Sequence, residues 1–196
     1  RERSVAGRRP GRGRRLARPR RTDRGRCRRG RHDGGRAPGD VRLALGGLRA
    51  RRGDPGVWSA LDEARDLAAG TGPVRFHVGR AEAAWLEGRD QDAAQDAAAH
   101  LPLAIASRQV ALAAQLALWC RLGGDEATPI PDFCAQHPFA LEAAGRWQDA
   151  AHAWRALGCP FETARALARG DEPAQREALA MFEAIGRSNA RRFMRI

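Results

Sequence analysis

Apolar positions recur along the chain at helical spacing. Trp147, Ala150, Ala151, Trp154 and Leu157 fall at i, i+3, i+4, i+7 and i+10, which places them on one face of a helix. Val57, Ala60, Leu61 and Ala64 repeat the pattern and continue to Ala68, and Ala178, Met181, Phe182 and Ile185 repeat it again. No stretch sustains the alternation of a half-buried strand. Gly53-Asp54-Pro55, Gly70-Thr71-Gly72-Pro73, Gly123-Gly124 and Gly158-Cys159-Pro160 separate these segments, spaced as connections between helices. The pattern predicts helices near 57–69, 75–87, 90–101, 103–122, 138–145, 147–157, 161–169 and 174–185. The segment 103–122, apolar on nearly every side, reads as one central, well-covered helix.

Two of the predicted hairpins share a pattern. Ala81, Trp85, Gly88 and Ala93 surround one turn, and Ala140, Leu141, Gly145, Trp147, Ala150 and Trp154 surround the other. This is the hairpin centre of a tetratricopeptide repeat. Glycine ends the first helix with positive φ, a small alanine lets the second helix approach, and an aromatic four residues later fills the groove. Gly53 and Gly88 stand 35 residues apart, close to the period of about 34, whereas Gly88 to Gly145 is 57 and Gly145 to Gly170 is 25. The expected fold is therefore all-α, with degenerate tetratricopeptide-like antiparallel hairpins stacked as a short solenoid over residues 41–196. In the second hairpin Ala150 is expected to face Leu141, and Trp154 to fill the gap toward the helix that starts near Phe161. Trp85 and Trp154 are expected in the core.

The run from His137 through Gly145-Arg146-Trp147 to Ala150, then Trp154 to Glu162, resembles the repeat region of large bacterial LuxR-type regulators with an ATPase module. So do Ala164 to Glu172 and Glu177 to Gly186. The resemblance runs from about Gly47 to Ile196 and is most specific from Pro138 to Gly186. In that family such helices lie between a nucleotide-binding ATPase and a DNA-binding helix-turn-helix. The resemblance thus implies a fragment lacking both modules, non-catalytic, used for protein–protein interaction and signal coupling, with a protein partner or attached regulator modules. No GxxxxGK[ST] occurs and the chain has no lysine, so a P-loop mechanism for ATP is excluded here. No recognition helix follows Arg191 to Ile196.

Charge divides the chain sharply. Residues 1–40 hold 16 Arg against 4 acidic residues, so the whole net charge of +12 sits there, and residues 41–196 are neutral. In that arm only Val5, Leu16 and Cys27 are larger apolar side chains, too few for a core, and a disordered Arg-rich arm is expected. Stretches such as Arg24 to Arg31 could neutralise phosphates. Arg14, Arg15, Arg20, Arg21, Arg28 and Arg29 are the candidate contacts of an alternative function, non-specific nucleic-acid binding. Off-frame translation of GC-rich DNA yields the same Arg, Gly, Pro and Ala mixture and is the preferred explanation of the arm. Hydrophobic residues make up 43% of the chain but aromatics only 6%, so stability must come from close packing of alanine-rich helices.

Little in the sequence points to chemistry. Cys27, Cys120, Cys134 and Cys159 form no CxxC pair, and the last three are expected as buried free thiols. Asp90, Asp92 and Asp96 lack the glycine and terminal glutamate of a calcium loop; first-turn acids on a helix explain Asp90 and Asp92 better. His77, His100, His137 and His152 show no HExxH spacing, and Ser59, Ser107 and Ser188 lack nucleophile-elbow glycines. Gly70-Thr71-Gly72 is too short for a phosphate loop. No catalytic, cofactor-binding or metal residue is therefore expected, and no cofactor. No apolar run is long enough to span a membrane and no secretory signal is visible, so the expected location is the cytoplasm.

Overall fold

The structure, a computed structural model, describes residues 38–67 and 73–185. Among these residues every regular element is helical and none is a strand. The order is α1 (Pro38–Arg52), α2 (Val57–Leu67), α3 (Pro73–Leu86), α4 (Asp90–Ala106), α5 (Val110–Leu122), a 3-10 turn (Asp132–Cys134), α6 (Pro138–Ala143), α7 (Trp147–Ala156), α8 (Pro160–Leu167) and α9 (Glu172–Ala184). Each helix packs on its chain neighbours, and α3 also packs on both α1 and α5.

One device ends six of these helices. A residue with positive φ stops the helix, and the next residue's N–H donates to the carbonyl five positions back, the Schellman arrangement. It closes α1 at Gly53 (Asp54 N–H to Arg49 O, 3.0 Å), α3 at Gly88 (Arg89 to Ala84, 2.9 Å) and α5 at Gly124 (Asp125 to Cys120, 3.0 Å). It closes α6 at Gly145 (Arg146 to Leu141, 2.9 Å) and α7 at Gly158 (Cys159 to Trp154, 3.0 Å). At the end of α4 the positive-φ residue is Arg108, φ 48°, with Gln109 N–H on Ala104 O at 3.0 Å.

That last turn corrects the sequence reading. The break expected near Pro102 lies at 107–109 instead, so 103–122 is not one helix. Pro102 sits on the exposed side of α4, where solvent can satisfy the carbonyl its missing N–H leaves over. Ser107 Oγ–H donates to Leu103 O at 2.8 Å and helps end the helix. The expected arm also gives up its last three residues, because Pro38, Gly39 and Asp40 open α1; residues 1–37 lie outside the described ones. Helix α1 itself was not expected. Its buried positions are Gly39, Gly46 and Ala50, while Val41 and Leu48 face solvent, so no apolar stripe announces it.

The core is built of alanine and a few large side chains. Ala81, Ala93, Ala97, Ala104, Ala113, Ala140, Ala150, Ala164 and Ala178 are fully enclosed, and Trp119, Leu116, Leu118 and Phe182 fill the space between helices. Small side chains let the backbones come close. At Gly123 a Cβ would lie 2.4 Å from Asp90 O and 2.5 Å from Ala94 Cβ, so the end of α5 touches the start of α4 almost backbone to backbone.

In the hairpin of α6 and α7, Ala150 and Leu141 are both buried. Trp154 is buried too, but its ring meets Phe139 on α6 edge-on at 4.7 Å and His137 at 6.2 Å. Its observed ring contacts thus lie toward the preceding helix, whereas Phe161 meets Phe182 on α9 at 6.0 Å. Trp85 is half-buried and leans on Trp119 at 5.5 Å.

Candidate interaction site: a charged seam and the cleft above it

Five helices send side chains to one buried polar seam. Arg165 on α8 donates from Nε and Nη2 to the two carboxylate oxygens of Glu142 on α6, at 2.8 and 3.0 Å, and both side chains are sealed from solvent. The third nitrogen, Nη1, has no acceptor. The guanidinium instead lies 5.3 Å from the rings of Trp119 on α5 and Phe139 on α6, whose negative faces attract it. Burial alone would lower the Arg165 pKa, but Glu142 more than reverses this and holds the cation above its ordinary value.

Arg51, in the last turn of α1, completes the seam. It donates Nε–H to Glu82 on α3 at 2.5 Å, pairs through Nη1 with Glu162 on α8 at 2.9 Å, and lies 4.4 Å over the Phe161 ring. Here too burial lowers the pKa, and the two carboxylates outweigh it, so the net movement is upward. Arg51 thereby ties the first helix to the eighth. A cation needs such partners wherever it leaves water.

Above Arg51 and Glu82 a cleft of about 680 Å³ opens between α1, α3 and α5. Leu43, Leu48, Val78 and Leu112 supply its apolar wall, and Asp40 and Arg75 add one charge of each sign. Gly47 also lines it, and a Cβ there would meet nothing within 4 Å. Leu48 is 44% exposed and Val41, one heptad earlier on α1, is 52% exposed.

Compared with known protein families, curated proteins and solved structures, the chain matches none.

Of the residues singled out from sequence, Arg14, Arg15, Arg20, Arg21, Arg28 and Arg29 lie outside the described residues, as does Gly70-Thr71-Gly72. Among the described residues no helix is long and apolar enough to cross a membrane. Cys120 and Cys134 are buried, as expected, but Cys159 at the start of α8 is only half-buried. Burial raises all three thiol pKa values, which keeps them protonated and weakly nucleophilic.

The histidines and the third aspartate, which looked scattered, are partly gathered. His77 on α3 places Nδ1 2.9 Å from Oδ1 of Asp96 on α4, and its ring stacks on His100 with centroids 3.3 Å apart and planes 12° apart. His100 Nδ1 lies 3.8 Å from the same oxygen and donates to the Asp96 backbone carbonyl at 2.8 Å. Burial lowers the His77 pKa; Asp96 opposes that, and His100 and Arg80 assist it. The spacing Asp96-x3-His100 puts two of these groups on one face of α4. No sequence signal linked them to His77, because that link depends on how α3 packs against α4.

Proposed function

We propose that this chain is a non-catalytic helical-repeat segment that contacts a protein partner and couples signals between attached modules, as its resemblance to the repeat region of LuxR-type regulators implies. In this reading α1 with α2, α3 with α4, α6 with α7 and α8 with α9 are tetratricopeptide-like hairpins. Helices α1, α3, α5, α6 and α8 form the inner row, and the charged seam runs along it. The observation that carries the reading is the cleft: one apolar wall, both signs of charge at its edge, and exposed Leu48 and Val41 beside it. Such a surface suits a protein segment with an aliphatic anchor and a polar flank.

A photo-crosslinking amino acid at Leu48 in the full chain, expressed in its native host, tests the proposal. The expected result is a discrete adduct containing a protein, lost when Gly47→Trp fills the cleft. An adduct that survives this change, or none at all, would overturn it.

A second reading rests on the confinement of the +12 charge to residues 1–40. In it the arm holds nucleic acid through phosphates, and affinity should fall steeply and linearly with the logarithm of salt concentration. A flat salt response would exclude it.

A further inference from the structure

We propose that His77, Asp96 and His100 form a binding site for a divalent transition-metal ion of the zinc class, clipping α3 to α4. One ligand atom from each residue lies within 4.8 Å of the other two. The two rings present the same edge to Asp96, with Nδ1 atoms 2.9 and 3.8 Å from Oδ1. Ligands on a tetrahedral zinc ion, at about 2.0–2.1 Å from the metal, stand about 3.3 Å from one another. The observed spacings straddle that value, and the two rings, now stacked with centroids 3.3 Å apart and planes 12° apart, tilt out of that stack so that their Nδ1 lone pairs converge on one ion.

The donor set suits the ion. Imidazole and carboxylate favour zinc, cobalt, nickel and copper over magnesium or calcium. All three side chains are between 22% and 24% exposed, open enough for entry and leaving a fourth position toward water. Asp96 Oδ2 is buried without a hydrogen-bond partner, an unused acceptor beside the site. Arg80 Nε lies 3.4 Å from it without forming a hydrogen bond, so the Arg80 guanidinium is the cation a metal displaces; it keeps the rings of Trp58 and Phe76 at 5.5 and 5.8 Å. Each ring now carries its proton on Nδ1. On binding, that proton must leave Nδ1, to Nε2 or to solvent. The Asp96 carbonyl that His100 releases retains its helical partner.

The test titrates the full chain with Co²⁺ and Zn²⁺ alone. One equivalent of Co²⁺ should give the visible bands of a tetrahedral site without thiolate charge-transfer absorption, and Zn²⁺ should bleach them. His77→Ala and His100→Ala should each weaken Zn²⁺ binding by at least about tenfold, while circular dichroism shows them folded. Arg80→Gln leaves all three ligands in place and should tighten binding. Thiolate bands, affinity unchanged in both histidine variants, or weaker binding in Arg80→Gln would overturn the proposal. This result is independent of the cleft, since the crosslink at Leu48 does not involve α4.

Discussion

Glu142 and Arg165 face each other across the α6–α8 contact through two parallel hydrogen bonds, with 0% and 1% of their side-chain surfaces exposed. Breaking such a pair leaves a bare charge in a dry place, whereas replacing both members removes the desolvation cost as well. Glu142→Gln should therefore destabilise the fold by about 3 to 5 kcal/mol, because the orphaned Arg165 cannot reach water. The double change Glu142→Leu with Arg165→Met should be neutral or stabilising by about 1 to 4 kcal/mol. Urea midpoints of the full chain decide the matter; a double variant weaker than the parent would show that the pair attracts by more than its burial costs.

Trp154→Ala should cost about 3 to 5 kcal/mol and Ala150→Leu about 1 to 3, the first by leaving a cavity and the second by overpacking a site with no free surface. Because the Trp154 ring rests on Phe139, the Trp154→Ala and Phe139→Ala losses should fall short of additivity. Denaturant unfolding of the two single variants and the double would show it. Strict additivity would mean that the rings are energetically independent.

Three glycines separate three physical effects. Gly47 lies inside α1 with open space where a Cβ would go, so Gly47→Ala should stabilise by about 0.5 to 1 kcal/mol through backbone entropy. Gly145 also has open space, but its φ is 76°, and alanine there should cost about 1 to 2 kcal/mol in backbone strain. Gly123 has an ordinary φ and no room at all, so Gly123→Ala must push α5 away from Asp90 and should be the worst of the three. Thermal unfolding of the set checks the order, and any other ranking contradicts the packing described.

His137 makes stability depend on pH. Its Nδ1 accepts the Phe139 N–H at 3.3 Å as the cap of α6, and burial holds its pKa below the ordinary histidine value. The unfolded chain therefore takes up the proton first as pH falls. The stabilisation is complete above about 6.5 and drains away as pH drops through the folded value. His77, also depressed by burial, acts in the same direction. The melting temperature should fall between about pH 7.5 and pH 5, and His137→Asn, which keeps a capping acceptor, should flatten the slope. A slope unchanged in that variant would remove His137 from the explanation.

How much could be read beforehand follows from what each element buries. Helices α2, α7 and α9 carry Leu61, Trp154 and Phe182 on alanine stripes, so periodicity found them. Gly53, Gly88, Gly145 and Gly158 announced turns because positive φ is a glycine habit. The turn at Arg108 is silent in sequence for the converse reason: an arginine in that conformation carries no local mark, and Pro102 offers a false one. Helix α1 shows no apolar periodicity because it buries glycines. The seam was invisible because Arg51, Glu82, Glu142, Glu162 and Arg165 look in sequence like any exposed helical charges; only the convergence of five helices buries them. The His77–Asp96–His100 group was half legible, through the four-residue spacing on α4, and needed the packing of α3 to complete it.

The bridge from Arg51 to Glu162 spans more than a hundred residues of chain, in a molecule whose other helix contacts are mostly between immediate neighbours. Neighbouring hairpins can assemble quickly, because closing short loops costs little entropy. The long bridge cannot form until α8 has a place to dock, and it is expected to form after the folding barrier. Arg51→Met should then leave the refolding rate nearly unchanged and accelerate unfolding, as stopped-flow urea jumps would register. A contact of this kind contributes little to how fast the chain finds its shape and much to how long the shape lasts once found.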